Sequence, residues 1–237
     1  MYQNILNIPV ILENIFKYLS KEQLEELSND KFFHDVSIFV IRKYKVIVVS
    51  GRELSLLNLT IRHLEIHRLK STQILPKFYN LKSLIISNNN LSPKFATEIS
   101  KLTNLRHLNA QNNNLGPQGA AKIAKMTNLR KLNISWNNLE TEGAVQIVKM
   151  TNLRKLNISW NNIRYQGVID IAKMTNLRSL NISFCKIMDE GAIEIAKMTN
   201  LRKLSISWNG IKSRGKFEIN KMSWLTTLKH VVPENDT

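Results

Sequence analysis

Residues 126–138 read MTNLRKLNISWNN, and residues 150–162 repeat them letter for letter. MTNLRSLNIS follows from residue 174 and MTNLRKLSISWN from 198, so the step is 24 residues each time. Two more worn copies precede them, LTNLRHLNAQNNN from 102 and YNLKSLIISNNN from 79. Such a chain is not built around a single centre. Each copy is too short to bury its own apolar face, so copies must stack and share one continuous core. Six regular units span 81–224. A degenerate unit, Ile61-x-x-Leu64-x-Ile66, lies upstream, and a truncated one, Leu225-x-x-Leu228, lies downstream.

With Leu81 and its equivalents as position 1, each unit reads L-x-x-L-x-L-x-x-N-x-L. Positions 4 and 6 (Leu132 and Ile134 in one unit) alternate with polar residues, the period of a short strand. An apolar i, i+3, i+4 pattern follows, as in Ala144, Ile147, Val148 and in Ala192, Ile195, Ala196, which predicts a helix of two to three turns with its stripe inward. Gly143, Gly167, Gly191 and Gly215 are expected just before or at the start of that helix. Glu140, Glu142, Asp189 and Glu190 stand near its positive end. Lys101, Lys125, Lys149, Lys173, Lys197 and Lys221 fall in its last turn, near the negative end. Strands stack ~4.8 Å apart and helices ~8–10 Å apart, so strands on one side and helices on the other force a curve. The expected fold is therefore α/β: a right-handed solenoid with an inner parallel sheet and outer helices.

This unit resembles the leucine-rich repeat, and its G-A-x-x-I-A-K-M segment resembles the GALA-type repeats. The resemblance covers residues 81–224 and implies a binding scaffold rather than any one partner. Position 9 holds Asn89, Asn113, Asn137, Asn161, Cys185 and Asn209. A buried amide both donates and accepts, so this column is expected to satisfy the turn that leaves each strand. Cys185, the single cysteine, belongs to the same structural column and excludes a disulfide framework.

Charge divides the chain. Residues 1–56 carry seven basic and seven acidic side chains, whereas 57–237 carry 27 and 11, which places the whole net charge of +16 on the repeats. The expected organisation is a helical region over 1–50, a repeat domain over 57–237, and a closing half-repeat over 225–237.

Residues 8–34, IPVILENIFKYLSKEQLEELSNDKFFH, are similar to an F-box. The shared features are an Ile8-Pro9 start, with Pro suited to a first helical turn, and Ile11, Leu12, Ile15, Phe16 and Leu19 at helical spacing. Ser20 with Gln23 forms a capping box before Leu24 and Leu27, and Lys31-Phe32-Phe33 follows. The departures are Ile8 for Leu and Phe for Trp. The resemblance implies docking on the small adaptor subunit of cullin-type ubiquitin ligases through Pro9, Leu12, Ile15, Phe16 and Leu19, with the repeats capturing a target protein. A plain helical cap on the solenoid's open end remains an alternative.

Positions 3, 5 and 7 are expected to face the open, concave side of the sheet. The candidate target-binding residues there are Lys131, Lys155, Lys203, Asn133, Asn157 and Asn181. An Arg column at position 2 (Arg130, Arg154, Arg178, Arg202) flanks one edge. Trp136, Trp160, Phe184 and Trp208, at position 8, flank the other. Trp and Arg are common interface anchors. Aromatics beside basic residues also suit nucleic acid, so a polyanion partner stays open.

Enzyme chemistry has little support in the residues. His34, His63, His67, His107 and His230 form no metal-ligand spacing, and no G-x-S-x-G, P-loop or dinucleotide fingerprint occurs. No cofactor and no metal are expected. No apolar run is long enough to span a membrane. The single cysteine favours a reducing compartment, and N-x-S sequons at Asn133, Asn157 and Asn181 would place glycans on the concave strands of a secreted chain. The expected location is intracellular, cytoplasmic or nuclear.

Overall fold

The computed structural model describes residues 46–48, 62–66 and 80–229 of the 237. Nine short strands form one sheet: β1 Val46–Val48, β2 His63–Ile66, β3 Ser83–Ile85, β4 His107–Asn109, β5 Lys131–Asn133, β6 Lys155–Asn157, β7 Ser179–Asn181, β8 Lys203–Ser205 and β9 Thr227–Lys229. They lie in sequence order and every pairing is parallel. From β3 on, six helices alternate with them: α1 Pro93–Ser100, α2 Gly116–Ile123, α3 Glu140–Ile147, α4 Arg164–Ile171, α5 Met188–Ala196 and α6 Ser213–Asn220. Each helix packs on the one before it and the one after it.

The register equals the repeat. Leu84, Leu108, Leu132, Leu156, Leu180, Leu204 and Leu228 stand side by side across the sheet. A 24-residue step returns each side chain to the same place, so identical positions form columns. The core fills from four of these columns: Leu at positions 1 and 4, Ile or Ala at position 6, and Leu or Ile at position 11. The helices add Ala120, Ala144, Ala192 and Ile123, Ile147, Ile195, all without solvent exposure. Each such Leu or Ile contributes about 1.5–3 kcal/mol through burial.

The structure differs from the sequence expectation in three places. The helix glycines lie inside the helices, not at their starts: Gly143, Gly167 and Gly191 are each the fourth residue. The reason is a close approach. A Cβ on Gly167 would stand 2.6 Å from Ile163 Cγ2 and 3.1 Å from Ala144 Cβ of the preceding helix. The recurrent lysines sit at or just past the helix ends, and Lys101, Lys173, Lys197 and Lys221 pair with a carboxylate three residues back. Finally, β1 extends the sheet into the 1–50 stretch that was expected to be wholly helical. The F-box-like segment, with Pro9, Leu12, Ile15, Phe16 and Leu19, lies outside the described residues.

The column at position 9 holds the turns together. Asn161 Nδ2 donates to the carbonyls of Ile134, Ile158 and Ser159, and its Oδ1 accepts from the backbone N–H groups of Asn137 and Leu139. One amide thus satisfies five groups that burial would otherwise leave unpaired. The two N–H groups reach one oxygen because the residues before them, Trp136 and Asn138, adopt left-handed backbone with φ of 57° and 55°. Asn137 and Asn209 donate to their turn carbonyls in the same way, and Asn209 Oδ1 accepts from the Cys185 N–H. Cys185 keeps the donor role weakly, through Sγ to Ile158 O at 3.3 Å. Burial pushes its thiol up to about 11, so it stays protonated.

Candidate functional site

The open face of the sheet lines a groove. Along one side of it stand Lys131, Lys155 and Lys203, exposed, with Ser179 completing the row. The strand pairing puts Lys131 beside Lys155, a like-charge neighbour pair that costs stability in a sheet. Among the described residues none that lines the groove is acidic; Glu65, in the column of Ile85 and Asn109, lies on β2 beyond it. Among the described residues no carboxylate pairs with these lysines, in contrast to the lysines that end the helices. His107, in the same row, has its pKa lowered by burial and by the nearby charges of Lys131, His63, Arg106 and Arg130, a local sign of positive potential.

Next to the lysines, Asn133, Asn157 and Asn181 are half-buried. Their Oδ1 atoms accept from the backbone N–H of Ser135, Ser159 and Ser183. Asn133 Nδ2 also donates to Gln111 Oε1. These carboxamides therefore bend the chain out of the strand as well as lining the groove. Position 7 does not face the open side in the middle units. Ser135 and Ser159 are 2 % and 5 % exposed, and their hydroxyls are turned back onto Asn133 and Asn157.

The Arg column splits. Arg178 and Arg202 fold their guanidinium groups over carbonyls of the turn that enters the sheet: Thr175 and Leu177 for one, Thr199 and Leu201 for the other. All four arginines are exposed, and Arg130 shares a polar cleft with Lys82, Arg106, Asn104, Asn128 and Asn152. Asn128, Asn152 and Asn176 of that same edge donate to Thr103, Thr127 and Thr151 one unit earlier. The recurring T-N-L triplet is the sequence signal of this second carboxamide ladder, which the position 9 pattern does not contain.

The aromatic column is the most distinctive part of the site. Trp136, Trp160, Phe184 and Trp208 stack on one another, with ring centroids 4.0, 3.7 and 5.5 Å apart and planes within 18° of parallel. The three Trp are 45 %, 40 % and 50 % exposed. All four residues have left-handed backbone, φ 57–59°. That conformation is uncommon outside Gly, Asn and Asp and costs roughly 1–2 kcal/mol for a bulky side chain. In the two preceding units the same position is Asn88 and Asn112, φ 59° and 51°, bonded side chain to side chain at 2.7 Å. Stacking returns ~0.5–1.5 kcal/mol per aromatic pair, so the aromatics gain the turn little over Asn.

Among the described residues no cluster of His, Cys, Asp or Glu could hold a metal, and no helix is long and apolar enough to cross a membrane.

No curated protein matches the sequence. An internalin from Listeria monocytogenes has a similar structure, with a TM-score of 0.55 at 19 % identity; the match covers 74 % of this chain and 56 % of the internalin. That likeness concerns the fold. A leucine-rich repeat family model matches five successive units, 101–124, 125–148, 149–172, 173–196 and 197–215, and a second leucine-rich repeat model matches 80–102. The matched units tile 80–215, more than half of the sequence, in the register of the strands, and the chain belongs to the leucine-rich repeat family.

Proposed function

We propose that this chain is a non-catalytic protein-binding module that captures a target on the groove side of its sheet. The observation that carries the reading is the exposed aromatic stack on left-handed backbone. The turn needs left-handed backbone here, and Asn88 and Asn112 supply it at lower cost, so bulky aromatics kept there at a solvent-facing edge point to a surface kept for recognition. The unpaired lysines of the groove belong to the same surface. The finer form of the proposal makes the module an adaptor: the F-box-like residues 8–34 dock on the small adaptor subunit of a cullin-type ubiquitin ligase, and the GALA-like repeats present the target. Its support is the I-P…I-F-x-Y-L-S segment standing ahead of a repeat scaffold.

Co-purification with the adaptor subunit tests the finer form. The full chain retains the adaptor, and changing Pro9 and Phe16 together to Ala releases it while circular dichroism stays unchanged. A full chain that never retains the adaptor sinks the ligase role and leaves the capped binding scaffold. Changing Lys155 and Trp160 together to Ala weakens target capture by ~2–4 kcal/mol if they are anchors.

A further inference from the structure

Trp160 has Trp136 against one ring face at 4.0 Å and Phe184 against the other at 3.7 Å, yet it is 40 % exposed. What it shows to solvent is therefore its ring edge. The same holds for Phe184, which lies between Trp160 and Trp208. A base intercalates or stacks on a ring face, and among these four rings only the outer faces of the two end members are left uncovered. Ring edges carry the positive side of the aromatic quadrupole, and an indole edge adds an N–H donor. Both favour carboxylate and carbonyl oxygens over the faces of bases. The groove, whose lysines stand five positions before the aromatics in each unit, has no acidic residue among the described residues that line it. The columns run across strands that lie ~4.8 Å apart, so two steps, about 9.6 Å, span about three residues of an extended polypeptide at ~3.3 Å each.

We propose that the groove and the aromatic edge bind an acidic polypeptide segment lying across the strands, with carboxylates on the Lys131, Lys155 and Lys203 row and oxygens against the ring edges of the stack. This rests on the reading of the groove side as a protein-binding surface. It also separates the protein from a nucleic-acid binder: phosphates can meet the lysines, but bases find only the two outer faces at the ends of the stack.

The test uses the full chain and three labelled probes in anisotropy titrations near ~0.15 M salt, where only close charge contacts survive screening. The first is a peptide of glutamate, serine and leucine. The second has glutamine for each glutamate. The third is a single-stranded thymidine oligonucleotide of the same net charge as the first. The acidic peptide binds about tenfold or more tighter than either of the others, and the double substitution Trp136→Asn, Trp160→Asn removes about tenfold of that affinity. Asn is the residue that Asn88 and Asn112 already place on this backbone, so circular dichroism and unfolding midpoint stay close to wild type. If the glutamine peptide binds as tightly with the same tryptophan dependence, acidity is not the determinant: the inference fails and the protein-binding reading stands. If the oligonucleotide binds tightest and depends on the tryptophans, both fail. Absence of binding by either peptide also overturns the inference.

Discussion

Two columns of the solenoid run side by side, one residue apart in the chain, and they obey opposite rules. Asn137, Asn161, Cys185 and Asn209 are buried, whereas Trp136, Trp160 and Trp208 are exposed. In the inner column the residue type answers to hydrogen bonds with the turn, five at Asn161 and three at Asn209. In the outer column backbone geometry favours Asn, and two units carry it, yet four carry an aromatic. The inner column obeys the needs of the fold. The outer one departs from them, and that departure makes it a candidate for function.

The strongest way to break the comparison is to destroy the register that both columns share. Leu156, on strand β6 with a neighbour strand on each side, is 2 % exposed. Leu156→Ala should lower stability by ~2–5 kcal/mol through the cavity it leaves. Denaturant unfolding reads this directly, and a midpoint equal to wild type would contradict the packing described. Asn161→Ala tests the inner column itself, and ~1–3 kcal/mol is expected as turn groups lose their partner.

The next two substitutions run in opposite directions along the columns. Cys185 is the weak rung, because its sulfur is a poorer acceptor for the Asn161 and Ile163 N–H groups than the Oδ1 that other rungs offer. Cys185→Asn should raise stability by about 1 kcal/mol, and a fall larger than that would show the site closed to a carboxamide. Trp160→Asn, one column outward, should shift stability by less than ~1 kcal/mol in either direction, since lost stacking offsets relieved backbone strain. A large loss there would make the outer column as structural as the inner one.

The smallest effect concerns His107. Its pKa in the fold is lowered from 6.5, by burial first and then by Lys131, His63, Arg106 and Arg130. The unfolded chain therefore binds the proton more readily. Stability should be full above about 6.5 and decline as the pH falls through the interval down to the lowered value. His107→Gln should flatten that slope in unfolding midpoints measured across the interval. An unchanged slope would place the positive field elsewhere.

Much of this was legible in the sequence, for a definite reason. The exact spacing of MTNLRKLNISWNN fixes strand register, because in a parallel stack only one offset puts Leu132 beside Leu156. The Asn column followed from the same spacing. Three things did not. Trp136 and Trp160 gave no hint of left-handed backbone, since aromatic residues argue against it; only Asn88 and Asn112 at the same position pointed that way. The sequence pattern puts Gly143 and Gly167 just before or at the helix start, yet they lie inside and serve the helix–helix approach to Ala120 and Ala144, a tertiary fact. Strand β1 carries too little pattern in Val46–Val48 to stand out from its surroundings. Within the site, the lysine row and the aromatic column were visible as columns. Their separation into paired and unpaired cations, and into covered faces and open edges, needed the structure.

The identity of units 126–149 and 150–173 over their first thirteen residues has a last consequence. Every junction from β3 to β9 uses the same strand register, so the chain can lose one module and keep the pairing. Removing 150–173 would bring Leu180 beside Leu132 and Phe184 beside Trp136, with α5 packed on α3. The result would be a shorter molecule of the same kind, its binding face reduced by one strand spacing of ~4.8 Å and its aromatic stack by one ring. The reach of this surface is thus a quantised property, adjustable in whole modules by duplication or loss, independently of the chemistry that each module presents.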